Sequence, residues 1–269
     1  MRKCLFRFGG LAACAAMFGA VDVRAQFATS VISYNAGTGG ASGFNQPTTA
    51  LGSPSTFTND PNFPGPLDPF DPPYLSSQIV SIGAGGSLTV QFDTPVRNDA
   101  ANPFGVDFIV YGNAGFAFND FNAGTTAGDL FGAATPGSTR VSVSADNVNY
   151  FTLDTSLAPV VDAYFPTDGS GTFGVPVNPA LGNAASFNGM TLDQIRSQYA
   201  GSGGGTGFDL GWARDVSGNP VALDQINFVR VEVLNGKAEV DGFAAVPEPT
   251  TWALLGLGAT ALLLRKRRA

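Results

Sequence analysis

The chain contains no histidine, and its two cysteines, Cys4 and Cys14, both lie close to the N-terminus. Beyond them there is no thiol, so neither a disulfide framework nor a cysteine metal site is available. Without histidine, a serine or threonine nucleophile lacks its usual base, and imidazole-built zinc and copper sites are excluded. Lysine is nearly absent too. Between Gln26 and Ala245 only Lys237 occurs, in a Leu-Asn-Gly-Lys turn that suits a solvated lysine better than a Ser-Lys pair. No Gly-x-x-x-x-Gly-Lys-Ser/Thr loop is present. The glycine run from Gly201 to Gly207 is followed by Asp209, whose charge opposes a phosphate.

Charge is sparse, at 13% of residues, and lopsided. Residues 26–245 hold six Lys and Arg against nineteen acids, a difference of −13. Such a body repels nucleic acid and anionic lipid, and is compatible with divalent cations and neutral sugars. Seventeen of the nineteen acids are Asp, which favours turns and short loops. A disordered spacer is opposed by the 22 phenylalanines and by clear strand patterns.

The strand patterns are short and widely spaced. Thr29–Tyr34, Gln78–Ile82, Ser87–Phe92, Gly105–Tyr111, Arg140–Ser144 and Asn149–Leu153 are rich in β-branched and aromatic residues. Gln225–Val233 and Ala238–Val246 close the series. Asp146-Asn147 suits a tight hairpin turn, because both residues tolerate positive φ. Pro61 to Pro73 carries six prolines and predicts a structured surface loop, pinned by Phe57, Phe63, Phe70 and Tyr74. Thr191-Leu-Asp-Gln194 has capping-box spacing and predicts one helix, with Leu192, Ile195 and Tyr199 on one face. Val106, Phe108 and Val110 should share one side of a central strand, with Asp107, Ile109 and Tyr111 on the other. Together these elements predict an all-β fold, an antiparallel β-sandwich with one short helix. A signal helix precedes it and an apolar helix follows it. The expected divisions are residues 1–25, 26–245 and 246–269.

The two ends carry addresses. Arg2, Lys3 and Arg7 precede an apolar stretch from Gly9 to Val21, and Val23-Arg-Ala25 offers a small-residue cleavage site. This is the form of a secretory signal peptide, cut after Ala25. Leu11-Ala-Ala-Cys14 resembles a lipoprotein box, but the apolar run continues past Cys14, where a lipobox would close it. At the other end Val246, Pro247, Glu248 and Pro249 lead into an apolar run, Trp252 to Leu264, then Arg265, Lys266, Arg267 and Arg268. A helix over that run reaches about 20 Å, short of the roughly 30 Å hydrocarbon core. That suits a transient stop, and the four cations would remain cytoplasmic. The plain alternative is a single-pass tail anchor. This order of parts resembles the PEP-CTERM sorting tail of bacterial surface proteins. The resemblance implies recognition and processing by an exosortase-type transpeptidase, with transient anchoring in the membrane.

A second resemblance runs through the body. Tyr34-Asn-Ala-Gly37, Ala50-Leu-Gly-Ser53, Ser81-Ile-Gly-Ala-Gly-Gly86 and Val106-Asp-Phe-Ile-Val-Tyr-Gly-Asn113 occur in order. Val141-Ser-Val-Ser-Ala-Asp146, Phe208-Asp-Leu210, Phe228-Val-Arg-Val231 and Val240-Asp-Gly-Phe243 follow. The set is similar to a jelly-roll-like domain of bacterial surface proteins, and implies that form of sandwich. Gly112 departs from the family pattern, which more often has Glu there.

Candidate chemistry is confined to carboxylates. Glycoside hydrolysis needs only two of them, and Asp107, Asp209 and Asp241 are the natural choices. Each of the three can equally cap a loop by accepting backbone amides. Calcium takes oxygen ligands, and the same three residues, with Asp120 and Asp129 in a loop that lacks the closing Glu of an EF-hand, are the candidate ligands. Trp212, Tyr74 and Tyr111 are candidate sugar platforms, although the core is the ordinary home of such rings. The sequence thus points to an exported, non-catalytic surface or extracellular-matrix protein with a structural or adhesive role, in contact with extracellular polysaccharide. A calcium-dependent carbohydrate-binding module is the alternative, and a carboxylate glycoside hydrolase a more distant one.

Overall fold

The computed structural model describes residues 25–132 and 138–248. The signal segment before Ala25, Pro249, the apolar run 252–264 and the basic end 265–268 lie outside the described residues. Among those described, no helix is long and apolar enough to cross a membrane.

Twelve strands form among the described residues, and every strand pair is antiparallel. They are β1 (Ser30–Asn35), β2 (Val80–Gly83), β3 (Ser87–Arg97), β4 (Phe108–Gly112), β5 (Gly115–Asp120) and β6 (Thr125–Phe131). The rest are β7 (Ser138–Ser144), β8 (Phe151–Leu153), β9 (Thr206–Phe208), β10 (Ala213–Arg214), β11 (Gln225–Asn235) and β12 (Lys237–Ala245). A six-stranded sheet has the order β1-β3-β11-β7-β8-β10, and a four-stranded sheet the order β2-β12-β4-β9. β5 and β6 stand apart as a hairpin. The two larger sheets pack as a sandwich, because each presents an apolar face that must leave water. Leu88, Val90, Phe92, Val141, Val143, Val229, Val231 and Val233 come from the larger sheet, and Val80, Ile82, Phe108, Val110, Val240 and Phe243 from the smaller. Burying a side chain of this size contributes about 1.5–3 kcal/mol.

Sequence alternation explains the larger sheet well. Pro95 sits in β3, yet it falls where residues 92–95 oppose the single Asn227 between two registers of β11. A proline without an N–H donor is tolerated at such an irregularity. The turn after β7 centres on Asn147 but is wider than the tight hairpin expected at Asp146-Asn147, since the last paired residues are Val143 and Phe151. Asn147 adopts φ 61°, and Asp146 Oδ1 accepts from the Val148 and Asn149 amides.

The smaller sheet is covered on both faces. β4 lies between β12 and β9, and all five of its residues are buried. Phe108 and Val110 face the sandwich core, while Ile109 and Tyr111 face a second cluster. Val106 joins Ile109 and Tyr111, not Phe108. The strand begins only at Phe108, after a 3₁₀ turn over Pro103–Gly105, so strict alternation does not reach back to Val106. The outer face of this sheet lies under loops: Ser55 bonds Asp241, and the Gly174 amide donates to the Tyr111 hydroxyl.

Those loops have a core of their own. Phe70, Phe116, Phe165, Val177, Phe187, Ile195 and Tyr199 form a separate buried cluster, with several rings edge-to-face. The helix α1 (Leu192–Tyr199) supplies two of these residues and starts with the expected capping box. Ala200, at φ 52°, ends it before the glycine run.

Candidate functional site

Of the three body carboxylates singled out in the sequence, Asp107 and Asp241 are buried and Asp209 is half-buried, and each is hydrogen-bonded. Asp107 is fully buried. Its Oδ1 accepts from the Asp99 amide at 3.1 Å and Asn102 Nδ2 at 3.0 Å, and its Oδ2 from the Leu210 amide at 2.8 Å. Burial, aided by the charge of Asp209, raises its pKa to about 6 against those bonds. Asp209 caps the next turn through the Gly211 amide at 2.6 Å. Asp241 lies elsewhere, on β12, where it accepts from the Ser55 amide and hydroxyl, each at 2.8 Å. Burial raises its pKa to about 7.

The Asp120–Asp129 stretch folds as a hairpin. β5 and β6 pair across it, Asp120 caps the turn by accepting from the Asn122 and Ala123 amides, and Asp129 is exposed on β6. The five carboxylates read as calcium ligands therefore do not converge. Among the described residues no group of three or more acidic side chains is placed to hold a metal ion. Lys237 stays partly solvated while its Nζ pairs with buried Glu239 at 3.1 Å.

A carboxylate absent from the sequence reading is the most constrained of all. Asp162 adopts φ 61°, and its Oδ1 accepts from the Ala114 amide at 2.7 Å. Its Oδ2 is buried without a hydrogen-bond partner. Burial, with nearby Glu239, holds its pKa well above the carboxylate range. A Cβ at Gly112 would lie 2.2 Å from Asp162 Oδ1, so only glycine fits there. Gly112 thereby leaves the space that the Asp162 carboxylate occupies.

The open chemistry lies on the loop side. A cleft of about 410 Å³ is lined by Thr58, Phe63, Phe70, Asp71, Pro72, Tyr74, Asn113, Phe131 and Gly132. The proline-rich loop forms one wall and the end of β6 the other. Side chains hold the loop in shape: Thr58 Oγ1 donates to the Phe63 carbonyl, Asp60 accepts from the Asn62 and Phe63 amides, and Asp68 from those of Phe70 and Asp71. Leu67 and Phe70 anchor the loop inside, whereas Phe57, Phe63 and Tyr74, expected as pins, point outward. A Cβ at Gly115 would come within 2.6 Å of the Phe131 ring and 2.9 Å of Pro72, so this glycine lets the two walls meet. Of the three rings named as sugar platforms, only Tyr74 lines the cleft. Tyr111 is fully buried, and Trp212 packs against the sandwich core.

The two ends of the described chain meet at one place. The Ala245 amide donates to the Gln26 carbonyl at 2.7 Å, and Phe27 bridges Ala244. Ala25, Phe27, Phe173, Val246 and Pro247 line one apolar cleft. Val246 is buried and donates its amide to the Asp107 carbonyl, so the fold extends into the first motif residue. Glu248 then turns outward to Arg97 at 3.0 Å, an exposed pair of the kind worth little. Residues 245–268 match the family model of the PEP-CTERM protein-sorting motif. The chain carries a PEP-CTERM sorting tail. It is an exported protein sorted by that tail. The PEP-CTERM match spans only this terminal stretch, and none of the curated proteins compared with the chain matches it.

Proposed function

We propose that this is a non-catalytic surface protein, structural or adhesive in its work, delivered by an exosortase-type transpeptidase and anchored in the membrane only until its tail is processed. The observation that carries the reading is the PEP-CTERM match, directly after the last strand of the sandwich. The Pro247-Glu248 segment leaves the fold at the surface, where a membrane enzyme can reach it. The state of the carboxylates supports a non-catalytic role. Asp107 is sealed from solvent and accepts three hydrogen bonds, and Asp241 is held by Ser55. A glycosidase acid and base must instead face the scissile bond across open space.

The test is intact-mass analysis of the protein released from the cell surface. The reading expects no peptide from Leu262 to Ala269 in that fraction. It also expects Glu248→Ala together with Pro247→Ala to leave a full-length precursor in the membrane. A full-length C-terminus in surface material would instead establish a plain tail anchor.

A further inference from the structure

We propose that the cleft between the proline-rich loop and the end of β6 binds a neutral sugar unit of an extracellular glycan, without a metal ion. The proposal deepens the surface-protein reading and rests on it. Three rings at this cleft are unusually wet: Phe63 is 67% exposed, Phe131 45% and Tyr74 38%. A concave site that sets exposed rings beside a few polar groups has the usual form of a ligand pocket. The cleft, at about 410 Å³, lies in the range of small-molecule sites.

Its lining selects among ligands. A purely apolar partner would strand the Asp71 carboxylate, and burying an unpaired carboxylate is costly. An anion would meet Asp71, whose pKa is raised by burial and then by neighbouring Asp68, and a body with a charge difference of −13. A pyranose satisfies both features. Its C–H face lies on the electron-rich face of a ring, and its hydroxyls donate to Asp71. The walls are already fixed by Thr58, Asp68 and the close approach at Gly115, so little ordering entropy is lost on binding. No calcium is needed, because the hydroxyls reach protein acceptors directly.

The experiment uses the protein extracted from the cell surface. Neutral hexose oligosaccharides and a uronic-acid oligosaccharide of equal length are titrated by calorimetry, with and without chelator. The expected result is binding to at least one neutral glycan, none to the uronate, and no change with chelator. Tyr74→Ala and Phe63→Ala should each weaken binding about tenfold or more while leaving the melting temperature in place. Phe104→Ala, which removes an exposed ring that is not part of the cleft lining, should leave affinity unchanged. Absence of neutral-glycan binding overturns the proposal, as do equal binding of the uronate, loss with chelator, or affinity that survives Tyr74→Ala and Phe63→Ala combined. Failure of the surface reading appears separately, as protein missing from the surface fraction whatever its glycan affinity.

Discussion

The sandwich and the loop lobe reach order by different routes. In the sandwich, strand alternation sends Val, Ile, Leu and Phe to one shared interior, and backbone ladders satisfy the polar groups. In the lobe, ladders are few. Order there comes from edge-to-face rings around Phe187 and Tyr199 and from Asp, Asn and Ser side chains that accept backbone amides. The difference teaches where function can sit. The sandwich sheets keep Phe92, Phe108, Phe208 and Phe243 inside, whereas the loop fixed by its own side chains holds Phe63 and Tyr74 in water.

The largest test of this contrast is Phe108→Ala. The ring is fully buried and stacked on Phe208 at 5.2 Å, so the change should cost about 3–5 kcal/mol. A loss below about 1 kcal/mol in denaturant melts would mean the sandwich does not depend on this strand. Next is Arg196→Ala in the lobe. Asp168 has a 2% exposed side chain and takes Arg196 Nε at 2.7 Å. Removing the guanidinium should cost about 2–3 kcal/mol, less than a fully buried pair because Arg196 is partly solvated. It should also raise protease cleavage in residues 155–205 before the sandwich unfolds. Simultaneous loss of both regions would show that they form one cooperative unit.

The pH response should separate the regions again. Asp241 and Asp107 have folded pKa values raised by burial to about 7 and about 6, against about 3.9 unfolded. The folded chain holds those protons more tightly, so this stabilisation is complete below the unfolded value and is lost as pH rises through 6 to 7. Asp168 behaves oppositely. Burial opposes its ionisation, yet bonds from Arg196 and Ser170 lower its pKa, so its contribution is lost as pH falls. Melting temperature should peak near pH 5, by roughly the balance of these shifts. Asp241→Asn should flatten the alkaline side, because Ser55 Oγ can accept from the new amide. Equal destabilisation at pH 5 and pH 8 would refute that account. The smallest effect is expected at Phe63→Ala, within about 0.5 kcal/mol in the same melts, since that ring is exposed.

Much of the sandwich was legible. Alternation in Arg140–Ser144 and Gln225–Val233, and the near-continuous apolar run ending at Tyr111, marked strands because side-chain period and burial are directly linked. The capping box at Thr191 was local, and so visible. The β5–β6 hairpin was missed because Asp120-Phe-Asn122 reads equally as a turn or a cation loop until Thr125–Phe131 finds a partner strand. β9 and β10 are too short to carry a period. The candidate cleft was legible only at Tyr74, since exposure of a ring is not a property of its own neighbours in sequence.

The sequence by itself determined the destination and the excluded chemistry. A linear sorting signal is carried by contiguous residues, and a missing histidine is missing in any fold. Tertiary structure alone decided which carboxylates are enclosed, that Asp162 fills the space left at Gly112, and that Phe63, Tyr74 and Phe131 share one cleft. Those outcomes depend on segments distant in sequence being brought together, and burial, pKa and ring exposure exist only after that packing is complete.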